Sequence, residues 1–415
     1  MNRRLKRILS IVFAPILLGI ILNLGFKAVE FSTGKKYVEY LKENSETIPL
    51  NEHFSYAIAA EDLENSKLIL VGEAHGVKEP NKFDVDFFKH LHSKYGVRSY
   101  FAEMDCAQAF MMNEFMKSGD QHLLSDILKN WVVAQGRNNK DYFEKYIAFH
   151  EFYSRLPENE KFYFLGIDKI RDWRFFTSLV NQLSKKDSTL APLEFDKTKI
   201  LGQLKERVDV LDSLYSEDSE ILLLVNQMKK NIGFHEEKTP REKAMFLNFK
   251  SYFSHYELEN SKSYGFFGLY HVFQYSIDGE LPLAGMIRES DLGLDGKMIS
   301  INFMFVDSHM VMKSNALPGF LQDEGPYTKM GITSDNLIVI YIYGVMDFKR
   351  MTAENHKSFI KMNGQNNPYS DTKRLNTTIQ LLPVTDIFKM TDKGKEYIQY
   401  TVFVRNSDWA EPMSE

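Results

Sequence analysis

The chain has 415 residues, of which 44% are hydrophobic, so it can bury a sizeable core in one large domain or two modest ones. Its formal charge of -5 and the lack of a long basic stretch after residue 7 argue against a nucleic-acid partner. The single cysteine, Cys106, excludes an intrachain disulfide framework, and we expect it to be a small buried residue.

The N-terminus combines a basic start with an apolar run. Basic residues at positions 3, 4, 6 and 7 precede Ile8–Phe26, which carries no charge and is just long enough to span a bilayer as a helix. The positive charge before the run predicts a cytoplasmic N-terminus and an extracytoplasmic main domain. A cleaved signal peptide is the alternative, but no small-x-small cleavage site is evident after the run. We therefore expect a single-pass membrane protein that contacts the lipid bilayer through residues 8–26.

The first regular unit reads as strand, helix and strand. Leu68–Gly76 and Ser99–Asp105 are short apolar runs that end in polar residues, which is typical of buried parallel strands. Between them, Phe83–Tyr95 repeats apolar residues at helical spacing. Ligands of open α/β sheets bind outside the carboxyl ends of the strands. Glu73 and His75 after the first strand and Glu103 after the second therefore form a candidate general acid/base or metal site.

Further elements follow the same logic. The pattern predicts helices over Gln121–Lys129 and Asp141–Leu156, and a buried strand over Lys161–Ile167 that presents Asp168, with Arg171 close behind. Residues 184–238 are charged and helical in period, which predicts an insertion or cap over the sheet.

A further helix and strand bring two more candidates. Thr239–Tyr256 reads as a helix with Thr239 as its cap, and it carries Arg241 in its first turn. A positive charge is unfavourable near a helix N-terminus, so Arg241 indicates a carboxylate partner. Tyr264–Val272 reads as a strand that ends at His271. Later strand-like runs are Met298–Val306, Leu337–Tyr343 and Tyr397–Arg405.

The ordered motifs GEAHG, AEMD, GID, TPREKAMFLNF and FFGLYHVF resemble the erythromycin esterase-like proteins over about Leu68–Phe305. Their wider superfamily is similar to ChaN-like haem-binding lipoproteins and Tiki-type proteases. The resemblance implies an α/β fold with a central mixed, largely parallel sheet flanked by helices. We accordingly predict an anchor over residues 1–30, a linker over 31–60, an esterase-like core over 61–310 with the helical insertion, and a C-terminal extension over 311–415 that completes the core or packs on it.

The resemblance also implies roles. His75 would be the general base on a hydrolytic water, accompanied by the carboxylates of Glu73 and Glu103, and Arg241 and His271 would complete the site. Apart from the resemblance, Asp105, Asp168 and Arg171 are candidates for supporting these residues from behind, and a loop cap is the alternative role for Asp168 and Arg171. The chain departs from the esterase motif in two ways: Glu-Ala-His is one residue shorter, and Gly268 stands where the esterases have a histidine. We therefore do not infer activity on macrolides.

Three functions remain open from the sequence. The first is a hydrolase of an ester or related acyl bond, in which His75 activates water for attack on a small-molecule substrate. The second is a haem or small-ligand binding protein with His75, His271 or Tyr270 as an axial ligand. The third is a protein whose site has decayed and which now serves interaction. The spacing requires no metal, although a divalent metal or haem is compatible with it.

Overall fold

The computed structural model of the protein describes residues 21, 24–129, 138–336, 339–370, 372–380, 388 and 396–413. Its strands are β1 (Ser45–Pro49), β2 (Leu68–Glu73), β3 (Ser99–Ala102), β4 (Tyr163–Gly166), β5 (Ser263–Gly268), β6 (Met298–Val306), β7 (Ser308–Lys313), β8 (Tyr327–Ile332), β9 (Asp335–Asn336), β10 (Ile340–Ile342), β11 (His356–Lys361), β12 (Thr378–Ile379) and β13 (Tyr400–Arg405). Its helices are α1 (Lys35–Glu43), α2 (Ala60–Asn65), α3 (Glu79–Tyr95), α4 (Cys106–Ser118), α5 (Gln121–Lys129), α6 (Lys140–Arg155), α7 (Trp173–Ser184), α8 (Ile200–Leu214), α9 (Ser219–Glu236), α10 (Arg241–His255), α11 (Leu283–Arg288) and α12 (Val345–Met351).

A central eight-stranded sheet organises these elements in the order β1-β11-β13-β6-β2-β5-β3-β4. From β13 to β4 every neighbouring pair is parallel, whereas β11 is antiparallel to both β1 and β13. The predicted mixed, largely parallel sheet flanked by helices is therefore confirmed. Because β2, β5, β3 and β4 all run the same way, their carboxyl ends meet at one edge of the sheet.

Strand β2 shows why the apolar runs form buried strands. All six of its residues are buried, and successive side chains point to opposite faces of the sheet. Val71 belongs to the hydrophobic core that contains Phe88 of α3, whereas Leu70 belongs to the core that contains Phe249 of α10. A strand covered by helices on both faces needs a continuous apolar run, which is the pattern seen in the sequence.

The end of β5 corrects one prediction. The strand stops at Gly268, and His271 lies in a 3-10 turn, Leu269–Val272, rather than at the end of a strand. This turn packs against Gly72 of β2, where an added Cβ would lie 2.5 Å from a methyl group of Val272. The apolar pattern of the segment is equally compatible with a longer strand, so periodicity alone does not indicate where the strand ends.

Residues on both sides of the predicted core also contribute to the sheet. Residues 31–60, predicted as a linker, contain α1 and the outermost strand β1. Residues 311–415 supply β11 and β13, so this extension completes one half of the sheet. The charged segment 184–238 contains α8 and α9, as the helical period indicates. Cys106 is buried at the start of α4.

Most of the predicted membrane segment Ile8–Phe26 lies outside the described residues. Residues 24–33 form a helix whose apolar side chains at 24, 26, 29 and 31 are exposed. Among the residues that the structure describes, no helix has the length and hydropathy needed to cross a membrane.

Candidate active site

The carboxyl ends of the parallel strands place the acidic candidates side by side. Glu73 is the last residue of β2, Glu103 directly follows β3, and Asp168 comes two residues after β4. The turn after β5 adds His271 at the same edge. These are the positions at which an open α/β sheet offers side chains to a ligand.

Glu73 and His75 form a hydrogen-bonded pair. The Nδ1 atom of His75 lies 2.9 Å from Oε1 of Glu73, whose side chain is almost fully buried at 1% exposure. The hydroxyl of Tyr142 on α6 donates to the same oxygen. When the Glu73 carboxylate is ionised it can only accept hydrogen bonds, and His75 then carries its proton on Nδ1, with the lone pair of the neutral ring on Nε2.

Arg241 connects the remaining acidic residues. Its Nε and Nη2 atoms donate to the two carboxylate oxygens of Asp168 at 2.9 and 2.7 Å, which is a bidentate ion pair. Its Nη2 atom also donates to Oε1 of Glu103 at 2.6 Å. Burial lowers the pKa of the Arg241 guanidinium, but the hydrogen bonds and charges of Asp168 and Glu103 outweigh it and raise the pKa above its usual value. Two carboxylates, those of Asp168 and Glu103, thus provide the partner expected from the position of Arg241 in the first turn of α10.

His271 is held between Arg241 and Glu242. Nη1 of Arg241 donates to Nε2 of His271 at 3.0 Å, so this nitrogen is an acceptor and the proton is on Nδ1. Nδ1 in turn lies 2.8 Å from a carboxylate oxygen of Glu242. The predicted cap of α10 is wrong: Pro240 occupies the N-cap position without a side-chain cap, and Glu242 bonds His271 and the amide of Leu283.

Two of the candidates, His75 and Glu103, come close together next to Gly268. Its amide donates to Oε2 of Glu103 at 2.6 Å. A Cβ added at this position would lie 3.1 Å from Nε2 of His75 and 3.4 Å from Oε2 of Glu103. The imidazole and the second carboxylate therefore converge above the glycine, in space that any side chain at position 268 would occupy.

Two of the three supporting candidates, Asp105 and Arg171, differ in their burial and in their hydrogen bonds. Asp105 caps α4 by accepting hydrogen bonds from the amides of Ala107 and Gln108. Burial raises its pKa to about 7, and the nearby charge of Asp168 acts in the same direction. Arg171 is exposed and, among the described residues, contributes no hydrogen bond or ion pair to the site. The structure therefore brings Asp168 and Asp105 towards the site and leaves Arg171 outside it.

Two residues of α6 at the site were missed from the sequence. Besides Tyr142, the helix contributes Lys145, whose side chain is 1% exposed and whose Nζ lies 3.0 Å from Oδ2 of Asp84. Both residues line a cavity of about 10 Å³ that Glu73 and Glu103 also border. The available signal was a lysine in the buried apolar stripe of a helix, because unpaired lysines are almost never fully buried.

The last described residues hold the loop that carries His75. We call residues 408–412 the C-terminal strap. The amide of Lys78 donates to the carbonyl of Asp408 at 3.1 Å, and the amide of Lys140 donates to the carbonyl of Glu411 at 2.7 Å. The strap amide of Ala410 donates to the carbonyl of Gly76 at 2.8 Å. The strap therefore satisfies amides at the N-termini of α3 and α6, next to His75 and Tyr142.

The exposed groups define the chemistry of the site. The carboxylates of Glu73, Glu103 and Asp168 are at most 2% exposed, whereas the side chains of His75 and Arg241 are 29% and 25% exposed. A small molecule at this edge therefore meets an imidazole and a guanidinium, backed by buried carboxylates. Within the part of the chain that the structure describes, no three His, Cys, Asp or Glu side chains are arranged to hold a metal ion.

Comparison with known proteins gives similarity of structure and none of sequence. No family model and no curated protein matches the chain. A Bacillus cereus protein is 13% identical with a TM-score of 0.63, over 92% of this chain and 100% of the other. A succinoglycan biosynthesis protein is 13% identical with a TM-score of 0.62, over 92% of this chain and 99% of the other.

A mutant of the erythromycin esterase EreC in its open conformation is 12% identical with a TM-score of 0.55, over 88% of this chain and 98% of the esterase. The chain shares the fold of this esterase. The predicted esterase-like architecture is therefore confirmed at the level of the fold. The haem-binding ChaN of Campylobacter jejuni reaches a TM-score of 0.30, which is too low to support a common architecture.

Proposed function

We propose that the protein is a hydrolase of an ester or related acyl bond, with His75 as the general base. The hydrogen bond between Glu73 and Nδ1 of His75 carries this proposal, because it directs the lone pair of the ring away from the buried carboxylate. The same carboxylate stabilises the imidazolium that forms when the ring accepts a proton. The partial exposure of the ring lets water and substrate reach it.

In the proposed reaction, Nε2 of His75 takes a proton from a water molecule while the water oxygen attacks the carbonyl carbon. The guanidinium of Arg241, held in place by Glu103 and Asp168, stabilises the developing oxyanion from its exposed side. When the tetrahedral intermediate collapses, the leaving oxygen recovers the proton from His75. The fold shared with an erythromycin esterase is compatible with this reaction and does not specify the substrate.

The histidines differ in their suitability for either role. Arg241 already donates to Nε2 of His271, so His271 would have to give up this bond to act as a base or to bind haem iron. In His75 the carboxylate of Glu73 accepts from Nδ1, so the lone pair of the ring is on the other nitrogen. The hydrolase function through His75 is therefore better supported than haem binding through His271.

The test is hydrolysis of a panel of acyl esters and lactones by the full chain and by His75→Asn. We expect the variant to lose turnover by a factor of about 10²–10⁴ with its unfolding transition preserved. His53→Asn is the matched control, because His53 is 72% exposed and pairs with Asp86 away from the site. Full turnover by His75→Asn, or no turnover of any acyl substrate by the unchanged chain, contradicts the proposal.

We also propose that the chain is held at a bilayer through residues 8–26, with the main domain outside the cytoplasm. The exposed apolar side chains of residues 24–31 support this, because an apolar face next to the uncharged run suits the membrane interface. The full chain should float with lipid vesicles after alkaline extraction, and a chain that begins at residue 33 should not. Equal flotation of the two chains contradicts the proposal.

A further inference from the structure

The ionised state of Glu73 depends on its buried partners. Its side chain is 1% exposed, and burial of a carboxylate is unfavourable unless hydrogen bonds and charges compensate it. Oε1 accepts from both His75 and Tyr142, so two donors from different elements converge on one oxygen. This arrangement fixes the rotation of the carboxylate and hence the direction in which the imidazole ring points.

Lys145 brings the nearest buried positive charge on α6. It lies one turn after Tyr142, and its Nζ is 4.3 Å from the centre of the Tyr142 ring and 4.5 Å from that of Phe266. The ammonium group of Lys145 also forms an ion pair with Asp84. Asp84 is itself held by the hydroxyls of two tyrosines, Tyr100 at 2.6 Å and Tyr264 at 2.8 Å. These contacts hold the ammonium group of Lys145 against the ring of Tyr142, whose hydroxyl bonds Glu73.

The cavity behind the site connects this cation with the carboxylates. Lys145, Glu73 and Glu103 border the same space of about 10 Å³, which is about the volume that one water molecule requires. Charged groups that border so small a space interact more strongly than they would in water, because few water molecules screen them. The other charged groups at this edge, Arg241 and Asp168, are tied to each other and to Glu103.

We propose that Tyr142 and Lys145 are positioning residues for the Glu73–His75 pair. Tyr142 fixes the Glu73 carboxylate through its hydrogen bond, and the charge of Lys145 keeps that carboxylate ionised. Together they hold the proton of His75 on Nδ1, which leaves Nε2 as the basic nitrogen. The consequence for turnover rests on the proposed hydrolase function, whereas the tautomer of His75 is a property of the resting protein.

The first experiment measures the tautomer of His75 by correlating ring hydrogens and nitrogens in the full chain labelled with ¹⁵N-histidine, with His75→Asn assigning the signal. In the unchanged protein we expect the Nδ1–H form. In Tyr142→Phe we expect a mixture of the two tautomers, because the carboxylate loses the hydroxyl that fixes its rotation. Tyr341→Phe is the matched control: it removes an equally buried hydroxyl that donates to the buried carboxylate of Glu30 away from the site, and we expect the Nδ1–H form to persist.

The second variant tests the charge of Lys145 without leaving an unpaired ion. Asp84→Asn combined with Lys145→Met removes both members of the ion pair, which is tolerated better than the loss of one. We expect this double variant to shift His75 towards the mixed tautomers as well. An unchanged tautomer in Tyr142→Phe, or an equal change in Tyr341→Phe, overturns the role of Tyr142, and an unchanged tautomer in the double variant overturns that of Lys145.

Turnover then separates this inference from the proposed function. If the protein hydrolyses an acyl substrate, Tyr142→Phe should lower kcat by about tenfold with little change in KM, because a wrong tautomer removes the base and not the binding groups. If no substrate is hydrolysed and the tautomer still changes as expected, the positioning role stands and the hydrolase proposal falls. An unchanged kcat together with a changed tautomer contradicts the catalytic consequence.

Discussion

Nη1 of Arg241 donates a hydrogen bond to Nε2 of His271 across 3.0 Å, and this bond distinguishes the two histidines of the site. The bond occupies the lone pair on Nε2 of His271, which a general base would need, so His271 supports the arginine instead. At Nδ1 the two rings are alike, because His75 meets the carboxylate of Glu73 there and His271 meets that of Glu242. The arginine that was expected to have one carboxylate partner therefore organises two carboxylates and an imidazole.

The stability of the site should depend strongly on Arg241. Arg241→Met removes the guanidinium from the buried carboxylates of Glu103 and Asp168, and we expect a loss of about 3–5 kcal/mol in the free energy of unfolding in urea at pH 7. Arg171→Met is the control, because this exposed arginine lies outside the site, and its effect should stay within about 0.5 kcal/mol. Equal losses in the two variants would show that the ion pairs contribute little.

The free energy of unfolding should depend on pH because of the buried carboxyl group of Asp105. Burial raises its pKa in the folded protein from 3.8 to about 7, so between these values the folded state retains a proton that the unfolded state releases. The contribution of Asp105 to the free energy of unfolding is therefore largest at low pH, and it falls by up to about 4 kcal/mol as the pH rises to about 7. Asp105→Asn keeps a capping side chain without the charge, so its stability relative to the unchanged protein should rise from pH 4 to pH 7 and then level off.

Asp218→Asn serves as the control for Asp105→Asn, because Asp218 caps α9 at an exposed position. It measures the effect of exchanging a capping carboxylate for an amide on the surface. Parallel pH profiles for Asp105→Asn and the unchanged protein would rule out a buried charge at position 105.

Gly268→Ala should displace the imidazole of His75. The added Cβ would lie 3.1 Å from Nε2, which is closer than ordinary contact, so the ring must shift by a few tenths of an ångström. We expect a changed ring signal of His75 and a loss of hydrolysis of about tenfold or more, since small displacements of a catalytic group are costly. In the control Gly202→Ala the added Cβ meets no atom within 4 Å, and the His75 signal should be unchanged. An unshifted His75 in Gly268→Ala contradicts the prediction.

The C-terminal strap should keep the His75 loop ordered. A chain that stops after Ser407 loses the carbonyl acceptors of the amides of Lys78 and Lys140, and we expect faster hydrogen exchange at these two positions. A chain that stops after Met413 keeps the strap and is the control. Unchanged exchange at both amides in the shorter chain would show that the strap does not hold the loop.

The sequence predicts the acidic edge of the site because its signal is local. Buried parallel strands need continuous apolar runs, and the first polar residue after each run, such as Glu73 and Glu103, marks the edge. Met298–Val306 was predicted with the bounds that β6 has in the structure. The turn that carries His271 was not predicted, because the apolar pattern continues past the end of β5 and the turn packs against Gly72, which is far away along the chain.

Partners across the chain account for the other omissions. The short polar strand β1 has no apolar run of its own and is defined by its pairing with β11. Tyr142 lies in an aromatic stripe that looks like ordinary core, and only its hydroxyl, which reaches Glu73, distinguishes it. Periodicity shows that a side chain faces inward, but not which polar atom it meets there.

The place of β13 in the sheet constrains the order in which the protein can fold. Residues 400–405 lie between β6 and β11, so a nascent chain that has emerged only to residue 399 has every other strand of the central sheet and a gap in its interior. Both flanking strands then expose unpaired backbone edges, which are prone to wrong pairing. The sheet, and with it the strap that follows β13, can be completed only after residues 400–412 have emerged, when the carboxylates of the candidate site have long left the ribosome.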